Sequence, residues 1–215
     1  MARRRGSATA LKASAVVAAL ATSTTYSDIG ICQGWSCGRH DGPVTWIAPQ
    51  PPPIDDGPLA GPERAVLAAF LDWQRWTLLN ICAGLTSEQL AERAVRPSTL
   101  SLLGLVRHMA KVERTWFCER VAGQSHEPMY DQSAGPDADF DGAVAEDAEQ
   151  DFDRLVEQIR QADLALADRD LEETFILRGQ SHSLRLVYVH MVAEYARHNG
   201  HADLLRQRID GSTGR

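Results

Sequence analysis

LRLVYVHMVAEYARHNGHADLLRQRI, residues 184 to 209, decides the fold. At roughly 100° per residue, Leu184, Val187, Met191, Tyr195, Ala202 and Leu205 fall on one stripe of a helix, with His198 inside it. Glu194 stands one turn before His198 and within about 40° of the same line, so both side chains reach one point in a core. His201 borders this face and His190 is nearer its flank. A carboxylate and an imidazole on adjoining turns outline half of a metal site.

The remaining ligand must come from another helix. Ser101 to Val121, SLLGLVRHMAKVERTWFCERV, carries Leu102, Leu105, Met109, Val112 and Trp116 on one stripe and His108 at its border. Packing the two faces together sets His108 opposite Glu194 and His198. The plainer alternative is that each histidine is a hydrogen-bonded core or boundary residue.

The 215 residues are 44% apolar and 24% charged, a globular composition for one domain plus a tail. A net charge of −7 argues against nucleic acid as a partner, because phosphate binding needs a basic face and the one Lys/Arg run is Arg3 to Arg5. No stretch is long and apolar enough to cross a bilayer. The opening MARRRGSATALKASAVVAALATSTT resembles a signal peptide, with a short alanine-rich run from Ala13 to Ala21. Nothing before Trp46 patterns as an element, so residues 1 to 45 are expected to be a disordered extension and the protein cytoplasmic. Cys82 and Cys118 fall in apolar helical stretches and read as reduced core thiols. Cys32 and Cys37 lack the second pair that a zinc knuckle needs.

The folded domain, 46 to 215, opens with a proline-rich lead-in. Pro62 starts a helix through Ala83 with Val66, Leu67, Phe70, Trp73 or Gln74, Thr77, Leu78 and Ile81 at helical spacing, closed by Gly84. Thr86 to Gln89 caps a short helix reaching Ala94. The helix with His108 stops at Gly123, and residues 124 to 141 form an irregular acidic loop that either closes over a site or is solvated, solvation being the expectation. A third long helix spans Ala143 to Ala167. Two short extended pieces follow between Leu171 and Ser181, and Ser181 or Ser183 caps the last helix. Gly200 costs that helix about 1 kcal/mol, so either the helix breaks there or a close helix contact needs the glycine. The expected fold is all-α, an antiparallel four-helix bundle with a disordered N-terminal extension.

Histidine and carboxylate suit zinc, nickel, iron or manganese, and three protein ligands leave coordination positions open. The segments Trp46 to Pro49, Pro97 to Met109, Val112-Glu113, Trp116-Phe117 and Glu194 to Leu205 resemble the mini-circle protein branch of the DinB/YfiT-like superfamily. That resemblance implies a DinB-like bundle, often dimeric, with a divalent metal held by His108, Glu194 and His198. Mycothiol-dependent maleylpyruvate isomerase is similar in having a His, Glu, His set, which favours zinc, with nickel as the alternative. By the same resemblance the expected function is a metal-dependent S-transferase or isomerase acting on a small molecule with mycothiol or another low-molecular-weight thiol. On that reading Arg197 and His201 steer an anionic thiol cofactor or support the ligands from behind; the alternative is that both are exposed helix residues. Two other readings stay open: a metal-stapled bundle of structural or stress-related role without catalysis, and an interaction protein in which the three residues do not converge.

Overall fold

The computed structural model describes residues 45–54 and 57–214. The expected extension, its signal-like run and Cys32 with Cys37 lie outside the described residues.

The lead-in is tied down at once. Ile47 bridges to Thr86, Ala48 N–H donates to the Leu85 carbonyl at 2.9 Å, and Gly84 N–H donates back to the Ala48 carbonyl at 2.9 Å. Helix α1, Glu63–Cys82, follows Pro62 as the spacing predicts and buries Leu78 and Ile81 of the expected stripe, but its other buried residues are Leu71, Arg75, Leu79 and Cys82. Phe70 and Trp73 are each 49% exposed and pack edge-on against one another. The shift has a physical reason in Arg75, whose charge is neutralised by carboxylates and which therefore takes a core position that a polarity pattern assigns to solvent. Gly84, at φ +77°, turns the chain into α2, Ser87–Ala91, which has the expected Thr86/Gln89 capping box but ends three residues early.

Helix α3, Leu102–Glu113, is capped by Ser101 Oγ accepting from Gly104 N–H at 3.0 Å. From Arg114 to Val121 it continues as a π-helix rather than the regular helix expected there. The acidic loop contains a 3₁₀ turn at Gln132–Ala134 and a short helix, α4, Ala138–Asp141. The third long helix, α5, Ala148–Leu166, begins five residues later than the sequence suggests, after a 3₁₀ turn at Ala145–Asp147. Strands β1, Thr174–Leu177, and β2, Gln180–Ser183, form an antiparallel hairpin around Arg178 and Gly179, both with positive φ, the conformation of a two-residue hairpin turn. Ser183 then caps α6, Leu184–Asp210, by accepting from Leu186 N–H.

Within α6 the predicted stripe is buried throughout: Leu184, Val187, Met191, Tyr195, His198, Ala202 and Leu205. The helix runs unbroken across Gly200, and a Cβ there would meet nothing within 4 Å, so neither expectation for that glycine holds. Among the described residues the protein is mostly helical, with one two-stranded sheet. Helix α1 packs chiefly on α6 and α3 on α5, while α3 also meets α6. Leu78, Leu105, Met109, Leu155, Met191 and Tyr195 belong to one core. Among the described residues no helix is long and apolar enough to cross a membrane.

Candidate metal centre

His108 on α3 meets Glu194 and His198 on α6. Each residue offers one ligand atom, and all three atoms lie within 4.8 Å of one another. Glu194 Oε1 is 3.7 Å from His108 Nε2 and 3.6 Å from His198 Nε2, and the two imidazole centroids are 4.7 Å apart. These separations are too long for hydrogen bonds. They are close to the roughly 3.5 Å between ligand atoms around a tetrahedral ion whose bonds are about 2.0–2.2 Å.

The donor chemistry also fits an ion. His108 Nε2 is buried and has no hydrogen-bond partner. Burial, with the His108 ring beside it, pushes the His198 imidazole down to about 4. It is therefore neutral at physiological pH, the protonation state a metal needs from histidine. All three side chains keep some exposure, at 17%, 20% and 10% in sequence order.

The acidic loop supplies what the sequence reading left in solvent. Asp139 on α4 is 1% exposed, and its Oδ2 lies 2.8 Å from His108 Nδ1 and 3.2 Å from Lys111 Nζ. Burial alone would raise the Asp139 carboxyl, but the hydrogen bond from His108 and the Lys111 ammonium outweigh it and hold the group below the usual carboxylate range. The ionised carboxylate accepts from Nδ1–H, which leaves the Nε2 lone pair facing Glu194. Phe140 stacks on the His108 ring at 4.4 Å. Arg107, buried against Asp151 at 3.0 Å, donates Nε–H to the Asp139 carbonyl at 2.8 Å, and the Tyr130 hydroxyl donates to the Arg107 carbonyl at 3.0 Å. Gly104 permits this closure: a Cβ there would come within 3.2 Å of the Phe140 carbonyl oxygen.

Behind the site, Glu113 is fully buried and accepts two 2.8 Å bonds from Arg75 and one of 2.8 Å from the Tyr195 hydroxyl. This links α1, α3 and α6 one residue from Glu194. Neither Asp139 nor Glu113 stands at a spacing from His108 that marks it in the sequence; proximity to the Gly135-Pro136 break is the only local cue for Asp139.

Arg197 and His201 are not in the three-residue cluster. Arg197 is exposed, and the His201 ring, half-buried, is 5.5 Å from that of His198. Cys82 and Cys118 are free and buried, and burial pushes their thiols up to about 12 and about 11. A cavity of about 670 Å³ bounded by Lys111, Arg114, Tyr130 and Asp139 lies on the Asp139 side, and none of the three cluster residues lines it.

A mostly helical protein with a His, Glu, His cluster between two long helices is the class these observations define. The mycothiol-S-transferase family model matches residues 66–211, a span that contains the whole cluster, and the chain belongs to that DinB-like family. No curated protein and no solved structure matches the chain.

Proposed function

We propose that the protein is a divalent-metal-dependent S-transferase that uses mycothiol or a related low-molecular-weight thiol on a small electrophile, with His108, Glu194 and His198 as the metal ligands. The observation that carries this reading is the convergence of three ligand atoms within 4.8 Å around a buried, unpartnered His108 Nε2, in a chain of this family. On this reading α1, α3, α5 and α6 act as an antiparallel four-helix bundle, the mini-circle motifs are its α3 and α6 ligand segments, and zinc is the preferred ion.

A bound divalent ion at an open site lowers the pKa of a coordinated thiol and so supplies a thiolate at neutral pH. The chain's own residues do the positioning. Asp139 fixes the His108 tautomer and ring orientation, a common arrangement behind metal-bound histidine. Arg107 holds the Asp139 backbone, and Tyr130 ties the loop to the Arg107 carbonyl. Cys82 and Cys118 are buried thiols that stay protonated at neutral pH, so the transferred sulfur comes from the small-molecule thiol. The overall change is a displacement: the thiol S–H bond and the bond from the electrophilic carbon to its leaving group break, a carbon–sulfur bond forms, the leaving group departs with the electron pair and the thiol proton passes to solvent.

Titration of the cobalt-substituted protein with mycothiol tests the reading. A thiolate-to-metal charge-transfer band that saturates near one equivalent is expected. Cobalt retained with no such band would contradict the thiol role.

A further inference from the structure

Three arginines, one each on the π-helix, the hairpin turn and α6, make no ion pair among the described residues. On α6, Glu194 is the pivot: His198 turns toward His108, whereas His190 and Arg197 lie on the other flank, about 40° and 60° from Glu194 at 100° per residue. That flank faces the π-helical segment. The Trp116 ring lies 4.2 Å from the His190 ring, and the Arg120 guanidinium sits 4.0 Å from the Trp116 centroid. Strand β1 of the hairpin that carries Arg178 packs on the π-helix. Burial and the charge of Arg178 push Arg120 down against the pull of Glu119, and burial with the charges of Arg120 and Arg197 pushes His190 down against the pull of Glu194. Cationic side chains from the π-helix, the hairpin turn and α6 therefore share one electrostatic neighbourhood.

Among the described residues, none of the guanidinium groups of Arg120, Arg178 and Arg197 makes a hydrogen bond or an ion pair. The nearest acid in sequence, Glu119, is taken by Arg114 at 3.3 Å. The contrast with Arg75, Arg107 and Arg185, each bound to a carboxylate, is sharp in a chain of net charge −7. Unpaired cations brought together beside an aromatic face create a site for an anion, because guanidinium groups match carboxylate and phosphate oxygens two at a time.

We propose that Arg120, Arg178 and Arg197 form an anion-binding subsite on the Trp116–His190 flank of the metal centre, which takes a carboxylate or phosphate carried by the electrophile. This rests on the transferase reading and narrows its substrate class to small anionic electrophiles. The anionic group is held on the side of Glu194 opposite His108, leaving the point between the three ligand residues to the thiol.

Calorimetric titration of the full-length, zinc-loaded protein without thiol tests the subsite. The two probes are 4-chloro-3,5-dinitrobenzoate and its neutral carboxamide, which share the electrophilic ring and differ in charge. The benzoate is expected to bind at least about tenfold more tightly at low salt, an advantage that shrinks as ionic strength rises. The advantage is lost in Arg120→Gln/Arg197→Gln and reduced in Arg178→Gln, with zinc content unchanged. Equal binding of the two probes, or a preference that survives the double variant, would overturn the subsite. The zinc content of the same preparations separates the two ideas: a metal-free protein that still prefers the benzoate loses the transferase reading and keeps the anion site.

Discussion

His108 Nδ1 lies 2.8 Å from Asp139 Oδ2, while Nε2 of the same ring is buried, unpartnered and 3.7 Å from Glu194 Oε1. One imidazole thus has one edge anchored in the acidic loop and the other edge committed to the cluster. The loop is part of the centre, and its contribution is directional.

Asp139→Ala should weaken metal binding about 10- to 100-fold, the usual cost of removing a carboxylate behind a metal-bound histidine. Asp139→Asn keeps an acceptor for Nδ1–H and should lose less. Competition with a chromophoric zinc chelator measures both, and unchanged affinity in the alanine variant would show that Asp139 does not orient His108.

Glu113→Ala leaves two Arg75 nitrogens and the Tyr195 hydroxyl buried without their acceptor. A loss of about 3–5 kcal/mol is expected, as for breaking one side of a buried ion pair. Urea unfolding monitored by circular dichroism reads it.

Gly200→Ala should stabilise the protein by about 0.5–1 kcal/mol, because the residue is inside α6 and a methyl group there touches nothing. Gly104→Ala should act in the opposite direction, since its methyl would press on the Phe140 backbone within 3.3 Å. Thermal melts of the pair check the signs together.

The α6 stripe and the Glu194/His198 pair were legible in the sequence because helical geometry alone puts them on one line. His108 was legible because an apolar stripe of α3 runs beside it. Asp139 was not, since its approach to His108 depends on a 31-residue separation closed by Arg107, Tyr130 and Gly104 rather than on any local period. Arg75 misled the reading of α1 for a related reason: polarity predicts exposure, yet its three carboxylate partners come partly from other helices and bring it into the core. The π-helical segment is likewise a tertiary outcome, which carries Trp116 to His190 and separates the His108 turn from Arg120.

Metal content of the purified protein, measured by plasma mass spectrometry for the wild type beside His108→Ala, Glu194→Ala and His198→Ala, tests the central claim most directly. Close to one divalent ion per chain in the wild type, lost in each variant while the helical circular dichroism persists, is the predicted result. A wild type that folds and stays metal-free after incubation with zinc would contradict it.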